Sequence, residues 1–252
     1  IVAANDPLYQ YQWHLHNSGQ NNFSSISGTS SEDINVDSVI AAGYTGNNII
    51  VAVVDTGLEI AHEDLSANVV VGGSFDFVGN DTDPTNPGTT GDHGTSVAGL
   101  TASEGWNGKG GRGVAPSASL KGFNFLKNQS TLTNINSLGA ASYSSDVDIF
   151  NQSYGSSPWY STTINSTVES QYLTGVTSLR SGKGAIYIKS SGNGFNQGAA
   201  SRYCSTIYGA STGLSCQNAN MDPTNAIPYN IVTGALTAKG KKSSYSTAGS
   251  SL

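Results

Sequence analysis

The sequence predicts one α/β domain built on a doubly wound, mostly parallel sheet with helices on both faces. Apolar, β-branched runs of the length of buried strands recur along the 252 residues, and segments with helical spacing separate them. No linker-like stretch divides the chain, so residues 1–252 are expected to form a single domain. Alternation of strand and helix favours parallel pairing of the strands.

The predicted elements follow the chain in a regular order. The first strand, NNIIVAVV (47–54), is a continuous apolar run typical of a sheet that is covered on both faces. The other predicted strands are SLKGFNFL (119–126), VDIFNQS (147–153), GAIYIKS (184–190) and YNIVTGAL (229–236). Helical patterns occupy GTSVAGLTAS (94–103), TLTNINSLGAASYSS (131–145) and STVESQYLTGVTSLRSG (166–182).

The composition indicates a folded extracellular protein. Charged residues make up 11% of the chain and hydrophobic residues 37%, with a net charge of −6 and no cluster of lysine and arginine. This balance argues against nucleic acid or an anionic membrane surface as a partner. No apolar run approaches the roughly 20 residues that span a bilayer. No signal peptide precedes IVAAND, which we interpret as a processed or trimmed N-terminus.

Cys204 and Cys216 are the only cysteines in the sequence. An even number at short spacing predicts one local disulfide, formed in an oxidising compartment. Two buried free thiols are the alternative.

Three polar residues follow or begin predicted elements in a way that suits catalysis. Asp55 ends the first strand, Asn193 follows the fourth, and His93 opens a helix. In open α/β sheets, ligands bind at the carboxyl ends of the strands. A histidine held by a buried carboxylate acts as a general base towards a serine, and an amide stabilises the oxyanion that forms. On residue type alone, a capping aspartate and a structural histidine remain alternatives.

Four motifs, in this order, resemble the subtilisin-like serine proteases: VAVVDTGLEIAHEDL, GDHGTSVAG, RGVAP and SSGNG. Other segments are similar to the kexin and furin branch: NDPLYQYQWHL, INVDSVIAAGYTGNNI, GGSFDFVGNDTDP and CQNANMDPTNAIPYNIVTGALTAKGKKSSYS. The resemblance implies a subtilisin-like fold and a secreted endopeptidase that acts on polypeptide substrates. It also implies that Asp55 orients His93, that His93 acts as general base and acid, and that Asn193 helps to form the oxyanion hole.

The nucleophilic serine of that family lies in a G-T-S-x-x-x-P motif downstream of the oxyanion asparagine, and neither Gly-Thr-Ser here fits. Ser30 precedes the first strand, and Ser96 lies one helical turn after His93, where both groups cannot easily face one substrate. We therefore expect a chain that stops before the nucleophile, lacks the C-terminal part of the fold and is inactive alone. Three explanations of the missing serine remain open: the protein is nicked and keeps a bound C-terminal fragment, the sequence stops early, or the chain is an inactive fragment. The kexin branch commonly carries a further β-rich domain.

The resemblance also predicts a substrate pocket. Ser153, Tyr154 and Gly155, in SYGSSPWY, would form one wall, and Asp222 is the one acid that matches a pocket position of the kexin branch. Asp222 predicts a preference for a basic residue before the cut. A strict requirement for two basic residues is not expected, because Thr56 stands where that branch has a second acid.

A calcium site is predicted at the loop SEGWNGKGGRGVAP, which is similar to a calcium loop of the kexin branch. Ca²⁺ takes six to eight oxygen ligands. The resemblance implies that the calcium ligands are the side chains of Asp6, Asp64 and Asn107 and the carbonyls of Glu104, Lys109 and Gly111. A solvated, glycine-rich turn with unrelated surface acids is the alternative.

Two rival functions share parts of this pattern. Gly108, Gly110 and Gly113 form a G-x-G-x-x-G sequence, but it follows a helix rather than a strand and lacks the acid expected about 20 residues later, which argues against a dinucleotide site. A pseudoprotease that binds polypeptide without cleaving it keeps the same cleft.

Overall fold

The computed structural model describes residues 6–86, 92–156, 162–195 and 217–250. The strands are β1 (Ile50–Val54), β2 (Ser119–Phe123), β3 (Ile149–Gln152), β4 (Ile186–Ser190) and β5 (Asn230–Thr233). The α-helices are α1 (Asp37–Ala41), α2 (His93–Ala102), α3 (Thr131–Ile135) and α4 (Ser166–Gly182). Each predicted strand is confirmed, with narrower bounds than the sequence pattern gives.

The strands form one parallel sheet in the order β2-β1-β3-β4-β5. Because β2 lies on one side of β1 and β3 on the other, the strand order reverses between β1 and β3. Such a reversal opens a crevice beyond the carboxyl ends of the strands, where ligands of α/β proteins bind. The topology therefore places the ends of β1, β3 and β4 around one crevice.

The sheet is covered on both faces, as predicted. Along β1 the side chains alternate: Val53 packs in a core cluster with Ala98 of α2, and Val54 packs in a second cluster with Tyr172 of α4. All four of these side chains are buried. This alternation is the two-residue period of a strand, with both faces apolar because both are covered.

The helix predicted over 131–145 is shorter in the structure. The α-helical part, α3, ends at Ile135, and a wider π-helical turn continues over Asn136–Ala140. Gly139 has a φ of 108°, which breaks the helical path. A glycine adopts this conformation without the steric cost that a side chain brings, so the sequence pattern alone does not reveal the break.

Among the described residues, no helix has both the length and the apolar character that crossing a membrane requires. The predicted disulfide between Cys204 and Cys216 lies outside the described residues.

Candidate active site

Asp55 and His93 form a hydrogen-bonded pair at the carboxyl end of β1. His93 Nδ1 lies 2.8 Å from Asp55 Oδ1 and 3.0 Å from Oδ2. The Asp55 side chain is fully buried, whereas 57% of the His93 side chain is exposed. The Thr56 N–H also donates to Asp55 Oδ1, at 2.6 Å. A buried carboxylate on Nδ1 leaves Nε2 as the nitrogen that can exchange a proton with a substrate group.

Glycine at position 94 lets α2 bring His93 this close to the strand. A Cβ on Gly94 would overlap the carbonyl oxygen of Gly57 and lie 3.0 Å from the Cβ of Asp55. The Gly94 N–H donates to Thr56 Oγ1 at 3.1 Å, which ties the first turn of α2 to the residue after Asp55. Gly94 therefore sets the position of the imidazole through its contacts with Asp55, Thr56 and Gly57.

Asn193 lies in the loop after β4, which two glycines and one threonine shape. Gly192 has a φ of 100°, its carbonyl accepts a hydrogen bond from the Thr247 N–H at 2.9 Å, and the Gly194 N–H donates to Thr247 Oγ1 at 2.8 Å. These bonds hold the loop on both sides of Asn193, whose own side chain is exposed. The amide is thus positioned on a fixed loop and faces a cavity.

That cavity has a volume of about 540 Å³ and lies beside the ends of β3 and β4. The described residues that line it include Asn193 and every predicted substrate-binding residue, Ser153, Tyr154, Gly155 and Asp222. The structure therefore brings the two segments predicted to form the substrate pocket together with Asn193, which was predicted for the oxyanion hole, around one cavity.

The pocket also contains Lys189, a residue that the sequence analysis did not single out. Lys189 Nζ lies 3.8 Å from Asp222 Oδ2 and donates to the Tyr154 carbonyl. Burial lowers the pKa of Lys189, and the charge of Asp222 offsets part of that shift. Burial alone would raise the pKa of Asp222, but Lys189 and the hydrogen bonds from Thr224 and Ser156 outweigh it and hold the pKa below its usual value.

Comparison with known proteins identifies the family. Residues 46–252 match the family model Peptidase_S8, the subtilase family. The chain belongs to the subtilase family. It is 42% identical over 258 residues to an extracellular serine protease of Aeromonas sobria, a match that covers the whole chain and 40% of that relative.

Two further relatives extend the comparison. Neuroendocrine convertase 2 of Caenorhabditis elegans is 34% identical over 203 residues, which cover 77% of this chain and 30% of the convertase. A solved structure of the Aeromonas sobria serine protease in complex with a chaperone has a TM-score of 0.87 and 36% identity, and covers 100% of this chain and 42% of that one. The chain spans less than half the length of each of these relatives. These similarities confirm the subtilisin-like fold and the relation to kexin-like convertases.

Neither Gly-Thr-Ser of this subtilase chain brings a hydroxyl to His93. Ser30 lies in an exposed turn, and Ser96 is exposed on α2, where its N–H bonds the Asp92 carbonyl. Within the described part of the chain, no hydroxyl group is hydrogen-bonded to the imidazole of His93. The described residues therefore contain the hydrogen-bonded Asp55–His93 pair and, lining the cavity, Asn193, without a hydroxyl bound to the imidazole.

The loop predicted to bind calcium contains a buried ion pair. Asp6 Oδ2 accepts hydrogen bonds from Arg112 Nε at 3.1 Å and from Nη2 at 3.0 Å. The N–H groups of Trp106 and Asn107 donate to the same carboxylate at 2.9 and 3.0 Å. The Arg112 guanidinium contacts two aromatic rings, 4.4 Å from the centroid of Tyr9 and 4.2 Å from that of Trp106. Asp6 therefore joins the N-terminal segment to the loop through Arg112.

Arg112 already compensates the charge of Asp6, but Oδ1 accepts only the Asn107 N–H and keeps one acceptor position. The other two predicted side chains lie together, because Asn107 Nδ2 donates to Asp64 Oδ1 at 2.7 Å. Asn107 Nδ2 also donates to the Glu104 carboxylate at 3.2 Å, and Asn107 Oδ1 accepts from the Lys109 N–H at 2.9 Å. The carbonyls predicted at Glu104, Lys109 and Gly111 belong to the same loop. In the described part of the chain, no group of three or more His, Cys, Asp or Glu residues forms a metal-holding cluster. Calcium binding at this loop stays a prediction.

Replacing Arg112 with methionine is expected to lower the free energy of unfolding by about 3 kcal/mol, since it leaves the buried Asp6 carboxylate without its cation. Urea unfolding of the purified complete protein measures the effect. Lys109→Met is the matched control: it lies in the same loop, but its ion pair with Glu63 spans 3.9 Å and both side chains are largely exposed. Exposed pairs contribute about 1 kcal/mol or less. Equal effects of the two substitutions would contradict a stabilising role of the buried pair.

Proposed function

We propose that the protein to which these residues belong is a serine endopeptidase that cleaves polypeptides with an Asp-His-Ser triad and an asparagine oxyanion hole. The observation that carries the proposal is the buried Asp55 carboxylate on Nδ1 of an exposed His93, at the same sheet edge as the pocket lined by Asn193. Membership of the subtilase family supports the same reaction. The nucleophilic serine would come from a Gly-Thr-Ser-x-x-x-Pro segment outside these 252 residues.

In this mechanism each described group has one task. His93 Nε2 takes the proton of the serine hydroxyl as the oxygen attacks the peptide carbonyl, and later returns it to the leaving amine. Asp55 fixes the imidazole tautomer and stabilises the imidazolium. The Asn193 amide donates a hydrogen bond to the oxyanion, whose charge develops only as the tetrahedral intermediate forms. Residues before the cut lie in the cavity between the ends of β3 and β4.

Asn193→Ala is expected to lower kcat of the complete protein by about 10²–10³, with a smaller change in KM, because the lost donor acts mainly in the transition state. Steady-state hydrolysis of a fluorogenic peptide measures both constants. Asn134→Ala is a suitable control, since Asn134 lines the same cavity from α3 but is not part of the proposed machinery. If kcat is the same in the Asn193 variant and the unmodified protein, the oxyanion role is wrong.

The rival function is polypeptide binding without cleavage. It keeps the same cleft, and it gains support only if the complete protein hydrolyses no peptide and does not react with a serine-directed phosphonate. The intact Asp55–His93 pair favours catalysis, because a binding protein does not need a buried carboxylate on an exposed histidine.

Location and partners are proposed by similarity. The extracellular relative in Aeromonas sobria supports secretion, and the solved complex of that protease with a chaperone supports a need for a folding partner. A C-terminal fragment or a further β-rich domain would be an additional partner within the same protein. Calcium would stabilise the loop around Asp64, Glu104 and Asn107; a lower melting temperature in the presence of a chelator would support that proposal.

A further inference from the structure

The pocket contains a buried ion pair where a substrate side chain would bind. Lys189 is 1% exposed and Asp222 is 5% exposed. Gly155 brings the pocket wall against both charged groups: a Cβ at this position would lie 3.0 Å from Asp222 Oδ2 and 3.1 Å from Lys189 Nζ. Without a side chain at residue 155, the ion pair borders the cavity that these residues line.

The carboxylate of Asp222 has no acceptor position left for a substrate. Oδ1 accepts hydrogen bonds from the N–H of Thr224 at 2.9 Å and from its hydroxyl at 2.6 Å. Oδ2 accepts from the N–H of Ser156 at 2.9 Å and from its hydroxyl at 3.2 Å. A carboxylate offers about four lone-pair sites, and these four donors fill them. Lys189 also compensates its negative charge.

Lys189, in contrast, has donors to spare. An ammonium group carries three N–H donors. Within the described residues, its one recorded hydrogen bond goes to the Tyr154 carbonyl, and Asp222 lies too far away for a second at 3.8 Å. The pocket thus offers donors from Lys189 and no open carboxylate.

We propose that Lys189 is a specificity-determining residue and that the pocket prefers a neutral, hydrogen-bond-accepting side chain, glutamine or asparagine, over arginine or lysine before the cut. This inference rests on the proposed protease function. It replaces the basic preference expected from Asp222, which requires a carboxylate that is open to the substrate.

The preference follows from charge and from hydrogen bonding. A substrate guanidinium would place a second cation beside Lys189 in a buried site, where repulsion is stronger than in water. Its donors would also lose water without gaining acceptors from Asp222. A glutamine side chain adds no charge, and its carbonyl oxygen accepts from the spare donors of Lys189.

The first test uses the complete protein and peptides that differ only in the residue before the cut: glutamine, arginine or leucine. We expect kcat/KM for the glutamine peptide to exceed that for the arginine peptide by at least about tenfold, as sites built around hydrogen bonds reject partners that cannot match them. The leucine peptide should fall between the two. A higher kcat/KM for arginine than for glutamine would overturn the proposal.

The second test uses Lys189→Met, which removes the cation. The ratio of glutamine to arginine cleavage should shift towards arginine by at least about tenfold, because the repulsion disappears and the charge of Asp222 is no longer compensated. Lys121→Met is the matched control: Lys121 is also a buried sheet lysine, 3% exposed, but it pairs with Asp146 away from the pocket. An unchanged ratio in folded Lys189→Met, or an equal shift in Lys121→Met, would contradict the role of Lys189.

A binding measurement separates this inference from the proposed function. Product peptides that end in glutamine or arginine occupy the same pocket without any chemistry, and calorimetry on the complete unmodified protein gives their affinities. Tighter binding of the glutamine peptide supports the pocket preference even if no peptide is hydrolysed, in which case only the protease function fails. Tighter binding of the arginine peptide overturns the preference whether or not the protein is an enzyme. These affinities also test the preference of the pocket for glutamine over arginine if Lys189→Met does not fold.

Discussion

Replacing His93 with alanine is expected to lower kcat of the complete protein by about six orders of magnitude, the loss found for the corresponding change in subtilisin. Without the imidazole, the serine hydroxyl keeps its proton and remains a weak nucleophile. KM should change little, because the pocket beside Asn193 and Tyr154 remains intact. Steady-state kinetics on one peptide substrate measures both constants.

The chain contains a closely matched control for this substitution. His16 Nδ1 lies 2.9 Å from Asp37 Oδ2, and its side chain is 57% exposed, the same fraction as that of His93. The carboxylates differ: Asp37 is 39% exposed, whereas Asp55 is fully buried. We expect His16→Ala to leave kcat unchanged. A loss for His93→Ala below the roughly 10² that general-base catalysis contributes would contradict its assignment as the base.

Asp55→Asn is expected to lower kcat by about 10⁴, the effect of the same change in a serine protease of another fold. Asparagine has nearly the same shape, so the side chain should still fit between Thr56 and His93. Its amide cannot stabilise an imidazolium as a carboxylate does, and it favours the wrong tautomer of the histidine. Kinetics at neutral pH, with the circular dichroism spectrum as a check on folding, measures the effect.

Asp37→Asn is the control for Asp55→Asn, since it removes a carboxylate from a histidine outside the candidate site. It should not alter kcat. If the Asp55 variant keeps activity within about tenfold of the unmodified protein, the buried carboxylate does not contribute what triad chemistry requires.

The strands were predictable because both faces of the sheet are covered. The apolar run that ends at Val54 places Asp55 at the carboxyl end of β1 without any knowledge of tertiary contacts. Strand ends were predicted less well: the fifth predicted strand extends to residue 236, but β5 ends at Thr233. The ends depend on which backbone groups find partners, and a composition pattern does not contain that information.

The buried ion pairs could not be predicted from the sequence, because their partners lie in distant segments. Arg112 and Asp6 are 106 positions apart, so no local pattern connects them. Lys189 left a clearer signal. It lies two residues after the buried Tyr187 in a strand, where the two-residue period predicts a buried side chain, and a buried lysine requires a nearby partner. Asp222, in a different segment, supplies that partner only through the fold.

In the proposed protease, the Asp55–His93 pair activates a serine carried by the rest of the protein. The most direct measurement treats the complete protein with a serine-directed phosphonate and maps the labelled peptide by mass spectrometry, for the unmodified protein and for His93→Ala. We expect one labelled serine, in a Gly-Thr-Ser-x-x-x-Pro segment, and no label in the variant. Three results would contradict this activation of a serine by Asp55 and His93: no label in the unmodified protein, label on Ser30 or Ser96, or equal labelling of the variant.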